Sequence, residues 1–270
     1  MSCPSVVLHG ACSAPQLGLG TSHQGGFSHQ AVVAALRLGC RHIDTAQRYG
    51  SEGGVRRAVE EAGVAREELF ITDKVWPGNY GEVGGSVAAS LAELGTSYID
   101  LLLLHWPGGG REAVAGAWRQ LELLLEAGTV RSIGVSNFQQ RHLDRLLEEA
   151  AVVPHLNQVE FHPYQQDLAL VEHCRALGVA VGGYSPLAKG RLLQDPTVAR
   201  VASQAGATPA QVLIRWSLQM GVITIPKSVR VERVRENWSV WGFELGKEAM
   251  AALGGLHRGT RVTWDPDTVP

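Results

Sequence analysis

One alternation governs this chain of 270 residues: a short apolar strand, then a stretch of helical spacing, repeated from end to end. Residues 40–44 read as a strand. After it Val55, Ala58, Val59 and Ala62 fall at i, i+3, i+4 and i+7, one face of a helix near 51–61. Residues 69–72 predict the next strand and 83–94 the next helix. Residues 99–104 are an apolar run interrupted only by Asp100, as expected of a parallel strand covered by helices on both faces. A helix at 113–127 stops at Gly128, because glycine accepts the left-handed conformation that ends helices. Strands follow at 130–135, 156–161, 179–184 and 222–225, with helical patterns at 140–149, 169–177, 209–220 and 232–236. With a short strand at 17–20 the count reaches about eight strand–helix units, the number that closes a parallel barrel.

The expected fold is therefore α/β, a (β/α)8 barrel of parallel strands. The first eight residues, apolar from Ser5 to Leu8, offer a hairpin across its N-terminal mouth. An open doubly wound sheet would normally carry G-x-G-x-x-G after its first strand. Here Gly18-Leu19-Gly20 runs into Ser22, His23 and Gln24, so the third glycine is out of position and the open sheet is disfavoured.

A barrel of this kind takes about 250 residues, so 1–270 is read as a single domain. The 32 glycines lie at element boundaries and do not gather into a linker. A formal net charge of -2 gives no electrostatic reason for a nucleic-acid or anionic-membrane partner. The most apolar stretch, 98–104, is far below the ~20 residues that span a bilayer. No basic segment precedes an apolar core at the N-terminus, so no cleaved secretory signal is expected. Cys3, Cys12, Cys40 and Cys174 are far apart without a C-x-x-C pair, which argues against a zinc ribbon or a disulfide scaffold. A cytoplasmic, metal-free, membrane-free protein is the expectation.

Catalytic residues of such barrels stand at the C-terminal ends of strands. Asp44 closes the second strand, Lys74 the third and His105 the fourth, about 30 residues apart, one βα unit each. Tyr49 lies five residues beyond Asp44. Each has a plain alternative: a turn cap, a solvated lysine, a core histidine, a half-buried aromatic. Together they complement one another. A tyrosine with an ordinary pKa of about 10 is a poor acid at neutral pH. A nearby Lys⁺ lowers that pKa by stabilising the phenolate, and an Asp⁻ holds the lysine charged and oriented. A histidine beside a carbonyl oxygen orients it or assists proton transfer. The set suits carbonyl reduction and contains no nucleophile for acyl transfer and no metal-ligand cluster.

At these residues the chain resembles the aldo-keto reductase family, over nearly its whole length. The matching stretches are 17–21 (LGLGT), 42–50 (HIDTAQRYG), 70–76 (FITDKVW), 100–107 (DLLLLHWP), 133–138 (IGVSNF), 157–164 (NQVEFHPY), 184–187 (YSPL) and 225–228 (IPKS). Eight in the family's order are highly specific. The resemblance implies a tetrad of Asp44, Tyr49, Lys74 and His105, and an extended NAD(P)H across the C-terminal mouth near Gly20 and Thr21. It places Ser136, Asn137 and Gln158 on the carboxamide, Tyr184 stacked on the nicotinamide, and Ser185 and Leu187 along the pyrophosphate. Lys227, Ser228 and Arg233 would meet a 2′-phosphate, and Glu236 and Asn237 the adenine. Two cations near one phosphate favour NADPH (NADP+), with NADH as the weaker alternative. A small-molecule carbonyl substrate and a monomer are the family's expectation.

Trp76 and Trp106 directly follow strand ends and are read as substrate-binding walls beside His105 and Tyr49. Trp264, in the tail, is the weaker third. Trp118, Trp216, Trp238 and Trp241 fall in helical or post-helical patterns and are read as packing, and His162 as a structural strand-end residue. The chain departs from many family members in two places. Gly108-Gly-Gly-Arg111 leads almost at once into the next helix, and the tail is short. The likeness is to the compact, microbial-type branch, and an open, permissive pocket is expected. Two other functions compete: a cofactor-binding barrel that is not an enzyme, such as a redox-sensing or structural subunit, and a phosphate-handling barrel isomerase or aldolase. The intact tetrad speaks against the first and the cofactor pattern at 225–237 against the second.

Overall fold

The computed structural model describes residues 3–8, 12–22 and 25–269. His23 and Gln24, which break the glycine-rich pattern after Gly20, lie outside them. Eight parallel strands form the barrel: β3 (Leu19–Gly20), β4 (His42–Asp44), β5 (Phe70–Val75), β6 (Leu101–Leu104), β7 (Ile133–Ser136), β8 (Leu156–Glu160), β9 (Ala180–Tyr184) and β10 (Ile223–Ile225). Closure falls between the last strand and the segment entering the first. Leu17 bridges Thr224 in parallel, with Gly18 N–H donating to the Thr224 carbonyl at 3.0 Å and Thr224 N–H to that of Gln16 at 2.8 Å.

Helices α1 (His29–Arg37), α2 (Glu52–Ala62), α3 (Val83–Leu94), α4 (Arg111–Glu126), α5 (Gln140–Leu147), α6 (Leu168–Ala176), α7 (Pro196–Ala205), α8 (Pro209–Gln219), α9 (Val231–Trp238) and α10 (Lys247–Gly254) surround it. The expected N-terminal hairpin is present, with β1 (Ser5–Val7) antiparallel to β2 (Ser13–Pro15). Leu8 and Ala14 pack against Phe70, Leu101, Leu103, Leu156 and Ile223, a cluster that plugs the barrel floor.

Strand parity decides which side chains reach the barrel interior. The four leucines of β6 divide: Leu101 and Leu103 join the floor cluster, while Leu102 and Leu104 join the larger core under the helices. In β5, Thr72 and Lys74 stand in register with Leu101 and Leu103 and point inward. Ile71 and Val75 belong to the outer core, and Asp73 shares their parity. Burial on both faces is what produces the unbroken apolar run Leu101–Leu104.

Most strand boundaries shift by one to three residues from the sequence reading, and two shifts matter most. β5 continues to Val75, so Lys74 sits inside the strand and not at its end, and β3 is confined to Leu19–Gly20. Three helices went unread. In α1, Ala31, Val32, Val33, Ala35 and Leu36 are all buried, so a polar stripe hardly interrupts the pattern. The pattern of α10 is equally blank, since only Leu253 is fully buried. For α7 the signal was available: Asp195 caps the Thr197 and Val198 N–H groups, and Pro196 follows at the first helical position.

Candidate active site

Inward parity on β4 and β5 puts Asp44 and Lys74 side by side. The Lys74 ammonium, wholly buried, donates to Asp44 Oδ1 at 2.6 Å and to the Thr45 carbonyl at 2.8 Å. Across the barrel on β8, Gln158 Nε2 donates to Asp44 Oδ2 at 2.7 Å. Burial by itself pulls the Lys74 pKa down, but Asp44 and Tyr49 outweigh it and hold the ammonium above its ordinary value.

A single 3-10 turn, Gln47–Tyr49, closed by Gly50 at φ 62°, carries Tyr49 to the floor of the mouth. The Lys74 Nζ lies 5.2 Å from the centre of the Tyr49 ring, and the His105 ring meets that ring edge-on at 5.5 Å. The repeat of one βα unit between Asp44, Lys74 and His105, with the turn that carries Tyr49, brings all four residues together. One expectation is corrected: the net shift of Tyr49 is upward. Burial is the largest cause, the Lys74 charge opposes it, and Asp44 adds to it. The buried low-dielectric setting costs a phenolate more than one cation returns.

Above the tetrad lies a cavity of about 1010 Å³. Asp44, Tyr49, His105, Trp76 and Trp106 line one end, and Lys227, Ser228, Arg233, Glu236 and Asn237 line the other. Gly20, Ser136, Asn137, Gln158, Tyr184, Ser185 and Leu187 run between them. Gly20 suits a close approach: a Cβ there would lie 3.2 Å from Ile225 Cγ2, tighter than an ordinary contact. Two expected residues do not line the space. Lys74 stands behind Asp44 and Tyr49. Thr21 is buried, its hydroxyl committed to the Asp44 carbonyl at 3.0 Å and to Ser51 Oγ at 3.1 Å, so its part is to fix the start of the Asp44–Tyr49 loop.

Strained backbone concentrates along this cavity. Asn137 (φ 66°), Ser185 (φ 53°), Ala188 (φ 48°) and Lys189 (φ 53°) adopt the left-handed conformation without being glycine, each at a cost of about 1–3 kcal/mol. Local bonds over-determine the first. The Asn137 Nδ2 donates to the His105 carbonyl at 3.1 Å and to Ser136 Oγ at 3.0 Å, and Tyr184 OH donates to Asn137 Oδ1 at 2.7 Å. The amide thereby ties the tetrad histidine to the ring of Tyr184.

The tail folds back over the mouth and completes it. Trp264 lies 6.1 Å from both Trp76 and Trp106, so the weakest of the three tryptophan readings is placed on the wall with the others. The tail thus supplies part of the lining, through Val262, Thr263 and Trp264. Its anchor is Glu160, which the sequence reading missed. Its Oε1 accepts from Val262 N–H at 2.6 Å and from His162 Nε2 at 2.8 Å; its Oε2 accepts from Thr263 N–H at 3.1 Å and from the Thr263 hydroxyl. His162 Nδ1 accepts from Gln165 N–H at 3.1 Å, which leaves its proton on Nε2 and bears out its structural role. Thr263 Oγ in turn meets Tyr184 OH at 3.1 Å. Arg48 was also missed: its guanidinium lies 4.2 Å from the Trp76 ring centre and 5.6 Å from that of Trp264. Trp118 and Trp216 are core residues, as read. Among the described residues no cluster has the makings of a metal site, and no helix is long and apolar enough to cross a membrane.

A closed parallel barrel with a cavity over its C-terminal mouth defines a class, the barrel enzymes whose site is built from the loops at that end. Comparison with known proteins narrows it. The model of the Aldo/keto reductase family matches residues 16–257. The glyoxal reductase of Bacillus subtilis is 42% identical over 267 residues, covering 97% of this chain and 96% of its own. An aldo-keto reductase enzyme from a Medee basin deep-sea metagenome library superposes with a TM-score of 0.94 at 37% identity, covering 99% of this chain and 100% of its own. A Bombyx mori aldo-keto reductase solved in complex with NADP gives 0.92 at 32% identity, covering 100% and 98%. The chain belongs to the aldo-keto reductase family and is an NAD(P)H-dependent oxidoreductase.

Proposed function

We propose that the protein reduces aldehydes or ketones to alcohols with NADPH, Tyr49 supplying the proton. The observation that carries this reading is the buried Asp44–Lys74 pair set directly behind Tyr49, with His105 across from it. The donor set fits the cofactor along its length. The Tyr184 ring offers a stacking face, Asn137 and Gln158 offer amides, and Lys227, Arg230 and Arg233 gather at the far end of the cavity against the single carboxylate of Glu236. That cationic end suits a phosphate in addition to the pyrophosphate, which supports NADPH over NADH.

When bound, the nicotinamide supplies the hydride that reaches the carbonyl carbon. The chain does the rest. A phenol held above its ordinary pKa keeps its proton until it is needed, and the Lys74 ammonium stabilises the phenolate left after transfer. Asp44 fixes that ammonium at 2.6 Å. The His105 ring, edge-on to Tyr49, orients the carbonyl oxygen toward the phenol.

Consumption of NADPH with a panel of aldehydes and ketones tests the reading, comparing the wild type with Tyr49→Phe. Removing the proton donor is expected to cut kcat about 10²- to 10⁴-fold, while cofactor binding, followed by NADPH fluorescence, persists. Undiminished turnover in the variant would refute the role of Tyr49.

A further inference from the structure

The cations of the cavity fall into two groups. Lys227, Arg230 and Arg233 stand at the end assigned to the cofactor phosphate. Arg48 stands alone at the opposite end, among the tryptophans and next in sequence to Tyr49. Its guanidinium stacks on Trp76 and reaches toward Trp264, and among the described residues it has no carboxylate partner. The one acidic side chain at that end, Asp44, is already held by Lys74 and Gln158.

Contacts run in an unbroken series from the reaction centre to this charge. Tyr49 meets His105, the His105 ring meets Trp76 edge-on at 5.3 Å, and Trp76 carries Arg48 on its face. The guanidinium is thus one indole's width from the group that orients the carbonyl. Stacking on an indole fixes the plane of a guanidinium and leaves its N–H edge open for a planar, two-pronged acceptor. A carboxylate is such an acceptor.

We propose that Arg48 is a specificity-determining residue that selects carbonyl substrates bearing a carboxylate about one ring's width from the reacting carbon. The proposal rests on the carbonyl-reductase function of the same site. The chemical class is the oxo acid whose carboxylate is remote from its carbonyl, bound with the carbonyl between Tyr49 and His105 and the carboxylate on Arg48. The walls of Trp76, Trp106 and Trp264 cover the apolar spacer.

A matched pair of aldehydes tests it: 4-formylbenzoate and its neutral methyl ester, with NADPH, in the wild type, Arg48→Gln and Arg48→Lys. In the wild type the acid is favoured over the ester in kcat/KM by about tenfold or more, the scale of a charge-assisted pair. Arg48→Gln abolishes that preference, mainly through the KM of the acid, and Arg48→Lys keeps part of it. Added salt erodes the preference in the wild type and not in Arg48→Gln. An acid-to-ester ratio that is the same in the wild type and Arg48→Gln overturns the proposal. If the wild type reduces neither aldehyde nor any carbonyl of the wider panel, it is the reductase reading that fails. The carboxylate site is then decided by terephthalate binding, read by tryptophan fluorescence: weaker binding in Arg48→Gln sustains it and equal binding overturns it.

Discussion

Gln158 and Asp44 meet across the full width of the barrel, from β8 to β4, at 2.7 Å. Asp44 is thereby held from two sides, since Lys74 takes its other oxygen at 2.6 Å. The carboxylate, the ammonium and the amide form a buried girder beneath Tyr49. A buried pair of charges adds little to stability by itself, yet losing one partner is costly, because the other charge remains uncompensated. Asp44→Asn is therefore expected to lower stability by about 3–5 kcal/mol and turnover with it. The double variant Asp44→Asn/Lys74→Met should recover much of the stability and none of the turnover. Urea unfolding of the wild type, both single variants and the double variant checks this, and additive losses in the double variant would count against the girder.

A second carboxyl lies on the other face of the same strand as Lys74. Asp73 is wholly buried among the helices, and neither of its oxygens has a well-formed hydrogen bond among the described residues. Burial, reinforced by the charge of Glu52, pushes its pKa up to about 8; the Lys74 N–H and charge and the Ser90 hydroxyl offset this only in part. The folded protein thus keeps a proton that the unfolded chain, with an ordinary value near 3.9, has already released. Stability is expected to fall as pH climbs from about 4 to about 8, by at most about 1.4 kcal/mol per pH unit from this group, and then to level off. Asp73→Asn should flatten that slope and raise Tm at pH 8. Melting curves across the window decide it; an unchanged slope in the variant would locate the proton elsewhere.

Glu160 carries the opposite sign. Burial alone would raise its pKa, but the bonds from His162, Thr263 and Val262 outweigh it and hold the carboxyl below its ordinary value. Its contribution is complete above the unfolded value of about 4.3 and is lost as pH falls through the lower folded value. Glu160→Gln cannot accept at both ends of the side chain, so the tail should loosen while the barrel stays folded. Faster amide exchange confined to 259–269 and a red-shifted tryptophan emission are the expected signs, with KM rising for bulky carbonyls. Unaltered exchange in the tail would show that other contacts, such as Arg141 on the Val269 carbonyl at 2.8 Å, suffice.

What could be read from residues alone depends on the distance over which the information is local. Asp44, Lys74 and His105 were legible because a parallel barrel repeats every 30 or so residues and delivers strand ends to one mouth. Glu160 was not, because its partners Val262 and Thr263 lie about a hundred residues away and nothing in the order of residues ties them to β8. Arg48 stood inside a family motif, but only the 3-10 turn fixes its side chain on Trp76. The upward shift of Tyr49 needed three dimensions as well: the sequence shows the lysine that opposes it but not the burial that outweighs the lysine.

The cationic end of the cavity yields a last prediction, on cofactor choice. Arg233 projects from the first turn of α9, and Lys227 and Ser228 lie in the segment just before that helix, so a phosphate there would meet side chains and a helix N-terminus together. Burial lowers the Lys227 pKa, and an anion beside it would raise it again. NADPH carries a 2′-phosphate that NADH lacks, so only the former uses the Arg233 guanidinium fully. Arg233→Ala is expected to raise KM for NADPH by about tenfold or more, the loss of one charge-assisted contact, and to move KM for NADH far less. The NADPH effect should shrink at high salt, because Arg233 is exposed and its attraction is screened. Michaelis constants for both cofactors at two salt concentrations settle the matter, and equal increases for both would place Arg233 on something the two cofactors share.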